Sequence, residues 1–351
     1  MREITFAAAI NEATVQAMER DPSVFVLGVS VGDMKRVFGT TQGAHERFPS
    51  RVFDTPCAEN AITGIAVGAA IAGMRPVMVH HRSDFMLLAM DQIVNHAAKW
   101  RHMSGGVSSV PLTIRGIVGR GWGNGAQHTQ SLQALFMHFP GLKVVAPATP
   151  YDAKGLLLAS IEDNSPVIYI EHRWLHERVG PVPEEYYTVP LGRGEVRRPG
   201  RDVTLVGISH MVVEAESAAD LLQQEGVSAE VIDLRSLRPL DEDLVLQSVT
   251  KTGRLVVADT SWKRCGAAAE IVALVAERAW PALKAPVRRV CLPDVAAPAS
   301  WVLERAFYPG PEQIAAAARW TLYGDEQAGQ PPSATGAHAG SSGLGTVGGP
   351  F

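Results

Sequence analysis

Short apolar segments alternate with helical stretches along the first half of the chain. PVMVH (76–80) and PVIYIE (166–171) are rich in β-branched residues, a pattern typical of strands that are buried on both faces. This alternation predicts a mostly parallel sheet flanked by helices, so we expect an α/β domain over residues 1–180. The predicted strands are 25–28, 51–54, 76–80, 111–115, 143–147 and 166–171, and the predicted helices include 84–100 and 151–163.

A second series of the same kind follows a segment without periodicity. Residues 172–201 are rich in proline, glycine and charge, and we predict a linker over 181–201. A second, smaller α/β domain is expected over 202–323. The shortage of bulky apolar residues predicts a disordered tail over 324–351. The predicted strands are 202–209, 228–235, 254–260 and 287–292, and the predicted helices are 211–224, 241–250, 267–280 and 311–322.

The composition narrows the classes of function. Of 351 residues, 46% are hydrophobic and 19% are charged, which suggests an obligate oligomer with much covered surface. A net charge of -4 without a long basic block gives nucleic-acid binding no electrostatic support, and no convincing membrane span is present. Three cysteines without a CxxC pair favour a reducing compartment and predict a cytoplasmic protein. We interpret Cys57 as a small buried residue.

One carboxylate stands out. Glu59 begins a run of small and apolar residues in which the next charge is Arg75, and a buried carboxylate needs a partner or a task. On a helix Gly64 and Gly68 share one face and allow close approach of another backbone. Two interpretations stay open: tight packing within the chain, or packing against a second subunit with Glu59 in the seam.

The glycine-rich loop 116–130 is a second candidate for chemistry. It fits neither common phosphate-binding glycine motif in a strand–turn–helix context. Arg120, Trp122 and His128 would suit the rim of an active site, but an exposed turn explains them equally well. His80 and His81 follow a predicted strand, where a parallel sheet binds ligands, and the histidine spacing does not predict a zinc site.

Several motifs together resemble a known family. Glu59, Gly64 and Gly68 match the E-x4-G-Φ-x-x-G pattern of enzymes that use thiamine diphosphate. The chain resembles the beta subunit of the 2-oxoacid dehydrogenase decarboxylating component, of the pyruvate, branched-chain and acetoin types, over about residues 3–323. The resemblance implies a pyrimidine-binding domain followed by a transketolase-type C-terminal domain. The other matching stretches are 51–56, 91–99, 140–157, 166–171 and 231–241.

The family resemblance also implies site residues and partners. Glu59 would hold the aminopyrimidine nitrogen and activate the cofactor, Phe85 would pack on that ring, and His128 would hold substrate or transfer protons. Because the chain has no GDG motif, a separate alpha subunit would hold the diphosphate and Mg²⁺ within an α2β2 heterotetramer. Gly64 and His81 are further predicted cofactor contacts. The resemblance places a potassium site at Leu112, Ser160, Ile161 and Asp163.

Departures from the family pattern bear on the substrate. His81 and Arg82 in PVMVHHRSDF, and Arg120 and Trp122 in GRGWGNGAQHTQ, are candidate substrate contacts. They would favour an anionic or polar acceptor, although surface or interface changes would explain them equally. The implied function is decarboxylation of a 2-oxoacid and transfer of the acyl group to a lipoyl carrier, with a lipoyl acyltransferase as a further partner. The alternative is a biosynthetic carboligase or decarboxylase with a non-lipoyl acceptor.

Overall fold

The computed structural model describes residues 2–33, 35, 37–119 and 123–324. These residues form two sheets covered by helices and a small two-stranded ribbon. The strands are β1 (Arg2–Thr5), β2 (Val24–Gly28), β3 (Val52–Asp54), β4 (Arg75–His80), β5 (Thr113–Val118), β6 (Lys143–Val145), β7 (Val167–His172), β8 (Val179–Val182), β9 (Glu195–Arg198), β10 (Val203–Gly207), β11 (Ala229–Asp233), β12 (Ser236–Arg238), β13 (Leu255–Trp262) and β14 (Arg288–Leu292). The α-helices are α1 (Phe6–Arg20), α2 (Gln42–Arg47), α3 (Glu59–Ile71), α4 (Ala98–Met103), α5 (Gln133–His138), α6 (Pro150–Glu162), α7 (His210–Gln224), α8 (Glu242–Thr252), α9 (Ala267–Arg278), α10 (Trp301–Phe307) and α11 (Pro311–Tyr323).

The first sheet has seven strands in the order β12-β6-β7-β5-β4-β2-β3. Strands β2 to β7 are parallel to their neighbours, and β12 runs antiparallel to β6. Parallel strands end at the same edge of a sheet, where such sheets bind ligands. We call this the carboxyl edge and define it by the residues that directly follow β4, β5 and β7, namely His81, Gly119 and Arg173.

Alternation along the strands builds two layers of core on the first sheet. On β4, Val77 packs in the cluster that contains residues of α1 and α6, whereas Met78 packs in the cluster that contains residues of α3. Every residue of β5 and β7 is buried. Both faces of this sheet are therefore covered, which explains the continuous apolar runs of its central strands.

The second sheet has the order β14-β13-β10-β11-β9, with β9 antiparallel to β11 and the remaining pairs parallel. Helices α7 and α11 cover one face, and α8 and α9 lie on the other. Strand β12 leaves this half of the chain and joins the first sheet, where the backbone N–H of Ala146 also donates to the Arg235 carbonyl at 2.8 Å. One hydrophobic core then spans both halves.

The α/β fold class is confirmed, but some predicted elements are wrong. The single helix expected over 84–100 is instead a 3₁₀ segment (Ser83–Ala89), a π-helix (Asp91–Ala97) and α4. Its apolar positions fit any of these windings, so the sequence pattern did not distinguish them. The predicted linker 181–201 contains β9 and the end of β8, while its role as a domain boundary stays a prediction.

Two further expectations concern the tail and membranes. The disorder predicted over 324–351 falls on residues outside the described range, apart from Gly324. Among the described residues, no helix is both long enough and apolar enough to cross a bilayer.

Candidate active site

Glu59 is the first residue of α3, five residues after β3 ends. It is half-buried, and its carboxylate forms no hydrogen bond or ion pair with any described residue. Ala58 makes no side-chain hydrogen bond that caps the helix. The negative charge of Glu59 in the first turn is favourable because it lies at the positive end of the helix dipole. The carboxylate that the sequence singled out is thus an acceptor available to a ligand.

The small residues of α3 serve two different surfaces. A Cβ at Gly64 would lie 3.2 Å from Oε1 of Gln92, so Gly64 permits close packing against the π-helix of the same chain. Gly68 has nothing within 4 Å, and the neighbouring Ile65 is 60% exposed. Packing within the chain is therefore confirmed for Gly64, whereas packing of Gly68 against a second subunit stays a prediction. The cofactor contact assigned to Gly64 stays a prediction.

Phe85 and His128 come together at the carboxyl edge. Their ring centroids are 5.2 Å apart in an edge-to-face arrangement. The 3₁₀ segment that carries Phe85 packs against α3, and the Ser83 hydroxyl fastens it by donating to the Gln130 carbonyl at 2.8 Å. Oδ1 of Asp84 accepts from the Gln130 side-chain amide at 2.8 Å. The structure thus joins the segment after β4 to the loop that carries His128.

The two histidines at the end of β4 have different surroundings. His80 is buried, with Nε2 3.3 Å from Oγ1 of Thr63, and burial lowers its pKa to about 4. This neutral side chain ties β4 to α3. The half-buried ring of His81 packs 5.0 Å from Phe38, and burial together with the nearby Arg82 charge lowers its pKa to about 4. His81 is therefore neutral at physiological pH, and its contact with cofactor or substrate stays a prediction.

Two arginines meet at Phe38. Arg82 follows β4 with one residue between, and Arg173 follows β7 directly; both are buried. Their guanidinium carbons lie 5.9 and 4.4 Å from the Phe38 ring centroid. Burial and the charge of Arg173 lower the pKa of Arg82 to about 10, so it stays charged at neutral pH. The other two candidate substrate residues, Arg120 and Trp122, lie outside the described residues.

A buried ionic network below this edge escaped the sequence analysis. Arg115 on β5 donates from Nε and Nη2 to the carboxylate of Glu171 on β7, at 2.7 and 3.0 Å. His176 lies 3.4 Å from the same carboxylate, and Thr40 accepts from Arg115 at 2.8 Å. Burial alone would raise the pKa of Glu171, but the Arg115 charge and these hydrogen bonds outweigh it and lower the pKa to about 2. Ionisable residues inside two apolar strands were the available signal.

The predicted potassium ligands are already engaged in the structure. Nη1 of Arg75 donates to the carbonyls of Ile161, Glu162 and Asp163 at 2.9, 3.1 and 3.2 Å. The Leu112 carbonyl accepts from the Val167 N–H at 2.9 Å, and the Ser160 hydroxyl donates within α6. The three carbonyls of Ile161, Glu162 and Asp163 thus share one guanidinium at the end of α6. The potassium site stays a prediction.

Two other features lie apart from this site. Cys57 is exposed, so its interpretation as a buried residue is wrong, because the short β3 and the turn after it lie at the surface of the chain. A cleft of about 930 Å³ separates α5 from the start of α9 and is lined by residues that include Ser131, Met137 and Trp262. It contains none of Glu59, Phe85 and His128.

Comparison with protein families matches both halves of the chain. The transketolase pyrimidine binding domain matches residues 2–177, and the transketolase C-terminal domain matches residues 192–314. Glu59, Phe85 and His128 all lie within the first match.

Characterised relatives cover nearly the whole chain. The chain is 47% identical to the beta subunit of the acetoin:2,6-dichlorophenolindophenol oxidoreductase of Cupriavidus necator, over 92% of this chain and 98% of the relative. It is 42% identical to the beta subunit of the pyruvate dehydrogenase E1 component of Bacillus subtilis, over 92% and 99%. A solved split-gene transketolase, described as an inactive beta4 tetramer, superposes with a TM-score of 0.73 at 26% identity and covers 91% of this chain and 98% of that one.

Proposed function

Because the chain belongs to the family of thiamine diphosphate-dependent 2-oxoacid dehydrogenase beta subunits, within the transketolase-like enzymes, we propose that it supplies half of the active site of a two-chain decarboxylating enzyme. The observation that carries this proposal is the free Glu59 carboxylate at the start of α3. Helix α3 packs against the segment that bears Phe85. The substrate is a 2-oxoacid or a related acyl donor, and the acyl group passes to a lipoyl carrier.

The residues fit the aminopyrimidine part of the cofactor. When bound, thiamine diphosphate supplies the carbon nucleophile and the electron sink for decarboxylation. Glu59 accepts a hydrogen bond from, and holds a proton at, the aminopyrimidine ring nitrogen. A carboxylate shielded from water is far more effective in this role than an exposed one. Phe85 packs on the aminopyrimidine and excludes water, and His128, held 5.2 Å from Phe85, donates or accepts a proton at the substrate oxygen.

The remaining half of the site comes from a second chain. This chain has no GDG sequence, and the described residues contain no group of three or more His, Cys, Asp or Glu side chains that could hold a metal. An alpha subunit therefore holds the diphosphate and Mg²⁺ within an α2β2 heterotetramer. The related split-gene transketolase, described as inactive when it is a beta4 tetramer, supports the need for a second chain. Arg75 donates to the Ile161 and Asp163 carbonyls, two of the four predicted potassium ligands, so the proposal does not depend on potassium.

Family membership supports the proposed acceptor, and the cysteines support the proposed compartment. Relatives named as dehydrogenase subunits favour a lipoyl carrier, and hence a lipoyl acyltransferase partner, over the biosynthetic carboligase alternative. Free cysteines, without a disulfide among the described residues, favour a cytoplasmic location.

The proposal is tested by co-expressing the chain with its alpha partner and replacing Glu59 with Gln. Turnover of a panel of 2-oxoacids is measured by dye reduction in the presence of thiamine diphosphate and Mg²⁺. We expect Glu59→Gln to assemble normally and to lower kcat by about 100-fold or more, a loss typical of removing one preorganised group. Glu277→Gln, at an exposed position on α9, is the matched control and should keep full activity.

Two outcomes would contradict the proposal. An assembled Glu59→Gln enzyme with near-normal turnover would remove the role of Glu59, and a wild-type enzyme inactive on every 2-oxoacid would remove the function. Acylation of a lipoyl domain is measured in parallel, since product formation only with an added aldehyde would favour the carboligase alternative.

A further inference from the structure

Arg82 is a buried cation at the carboxyl edge with an unused donor. Its side chain is 6% exposed, and Nη1 has no hydrogen-bond partner. The residue lies one position before Ser83, whose hydroxyl holds the Gln130 carbonyl, and three before Phe85. A guanidinium is always charged at physiological pH, and burying such a charge without a counter-ion is unfavourable. A group that offsets this cost is therefore expected near Nη1.

Among the described residues, no carboxylate forms an ion pair with Arg82, although the charge of Asp84 partly compensates it. Oδ1 of Asp84 accepts a hydrogen bond from Gln130. Asp84 makes no ion pair with Arg82, although its negative charge raises the pKa of Arg82. Glu171 is committed to Arg115 and His176. Glu177, which is exposed, lies 3.9 Å from Arg173.

The nearest like charge makes the surroundings more positive. Arg173 contacts the same Phe38 ring as Arg82, and its charge lowers the pKa of Arg82. Two buried guanidiniums therefore lie against one aromatic ring, and a guanidinium is the side chain best suited to bind an oxyanion. His81 packs on the same ring, and burial together with the Arg82 charge lowers its pKa to about 4. It is therefore neutral at physiological pH and adds an uncharged hydrogen-bonding side chain.

We propose that Arg82 binds an oxyanion, a carboxylate or a phosphate, that the substrate or the acyl acceptor carries at a distance from the reacting carbonyl. Arg82 is then a specificity-determining residue for an anionic ligand. This inference rests on the proposed function, because the ligand is a reactant of the same site. The two sources of the oxyanion are a second carboxylate on the 2-oxoacid, under the proposed function, and a phosphate on an aldehyde acceptor, under the carboligase alternative.

The test uses the assembled enzyme with thiamine diphosphate and Mg²⁺ bound. Arg82→Met and Arg82→Lys are compared with wild type, and Arg201→Met, at an exposed arginine of the second domain, is the matched control. Initial rates are measured with pyruvate, with 2-oxoglutarate, and with glyceraldehyde 3-phosphate added as an acceptor. Two of these reactants carry an additional oxyanion, 2-oxoglutarate a second carboxylate and glyceraldehyde 3-phosphate a phosphate. We expect Arg82→Met to raise the KM for one of them at least tenfold while kcat changes less than threefold. Arg82→Lys should show a smaller rise in KM than Arg82→Met. The reactant whose KM rises identifies whether the oxyanion is the carboxylate or the phosphate.

A binding measurement keeps the inference falsifiable if Arg82→Met fails to fold. With the diphosphate site occupied by cofactor, inorganic phosphate should raise the Tm of the wild-type enzyme, and the rise should shrink in Arg82→Lys. In buffer without phosphate, a folded Arg82→Met should be at least as stable as wild type, because an uncompensated buried charge has been removed.

Three results would overturn the inference. These are unchanged KM values in every arm, no phosphate effect on the wild-type Tm, and dissociation of the heterotetramer in Arg82→Met, which would show that the alpha chain supplies the counter-ion. Failure of the proposed function has a different signature. In that case no 2-oxoacid is turned over, yet phosphate still stabilises the protein through Arg82.

Discussion

The exposed apolar face of α3 predicts where the second chain docks. We call the surface formed by Ile65, Gly68, Leu87 and Leu88 the α3 face; it combines α3 with the 3₁₀ segment that packs beside it. Ile65 is 60% exposed, Leu87 42% and Leu88 61%, and Gly68 has open space above it. The perturbation is Ile65→Glu, which places a charge at the centre of this face. Because Ile65 points away from the core, the fold of the chain itself should survive.

The size of the effect follows from the exposed fractions. Fully burying an aliphatic side chain contributes about 1.5–3 kcal/mol, so covering the exposed part of Ile65 contributes roughly 1–2 kcal/mol. The three apolar side chains together contribute roughly 2.5–5 kcal/mol to association by the same estimate. Glu at position 65 loses the contribution of Ile65 and adds the desolvation of a carboxylate without a partner, together about 3 kcal/mol or more. Since about 1.4 kcal/mol is tenfold, association should weaken by roughly 100-fold or more.

The assay is sedimentation velocity of the co-expressed chains over a concentration series. Wild type should sediment as one assembly, and Ile65→Glu should dissociate into separate chains within the accessible range. Val196→Glu is the matched control, because Val196 is a 39% exposed apolar residue on β9 of the second domain. Circular dichroism of the isolated variant chain verifies that its fold is retained.

Two results would refute the reasoning. If Ile65→Glu assembles with a Kd within threefold of wild type, the α3 face is not an interface. If Val196→Glu dissociates to the same extent, an added charge weakens assembly wherever it is placed. In either case, the open space above Gly68 would need another explanation.

Two further predictions concern stability. Burial and the charge of Asp152 raise the pKa of Asp233 to about 8, so the folded chain keeps a proton that the unfolded chain releases near the ordinary aspartate pKa of 3.8. Stability should therefore fall as the pH rises from about 4 to 8, and Asp233→Asn should flatten this dependence; an unchanged slope of Tm against pH would contradict the assignment. Arg75→Met removes the donor to three carbonyls at the end of α6, and we expect Tm to fall by about 5 °C or more, since each charged hydrogen bond contributes roughly 1.5–3 kcal/mol. Arg201→Met is the control in the same melts, and an equal fall in both would contradict the role of Arg75.

Much of the fold followed from local patterns. The strands predicted at 76–80 and 166–171 correspond to β4 and β7, because strands buried on both faces need long apolar runs. Strand β12 could not be found this way. It has three residues, and its pairing with β6 depends on how the two halves of the chain meet. The π-helix is similar, since its own periodicity does not distinguish it from an α-helix and its contact with α3 is visible only in the structure.

The candidate site was predicted as a set of residues but not as a set of contacts. The sequence motif singled out Glu59, Phe85 and His128, and the structure adds the ring contact between Phe85 and His128. The ion pair of Arg115 with Glu171 joins residues 56 positions apart, and strand pairing alone makes them neighbours. That Arg82 is buried could not be known, because a charged residue after a strand is usually exposed.

The ionisable groups near the carboxyl edge are of two kinds, those in ion pairs within the chain and those without an ion pair. This contrast supports assigning a ligand to each group of the second kind. Arg115 and His176 both lie within ion-pair distance of Glu171 inside the chain, so these charges offset one another and join β5 to β7 without a ligand. Glu59 and Arg82 have opposite charges and follow strands β3 and β4 of the same sheet, yet they form no ion pair with each other. Pairing them would offset the desolvation of both groups. Keeping them apart leaves one acceptor and one donor unused, which favours two separate ligand groups, a protonated ring nitrogen for Glu59 and an oxyanion for Arg82.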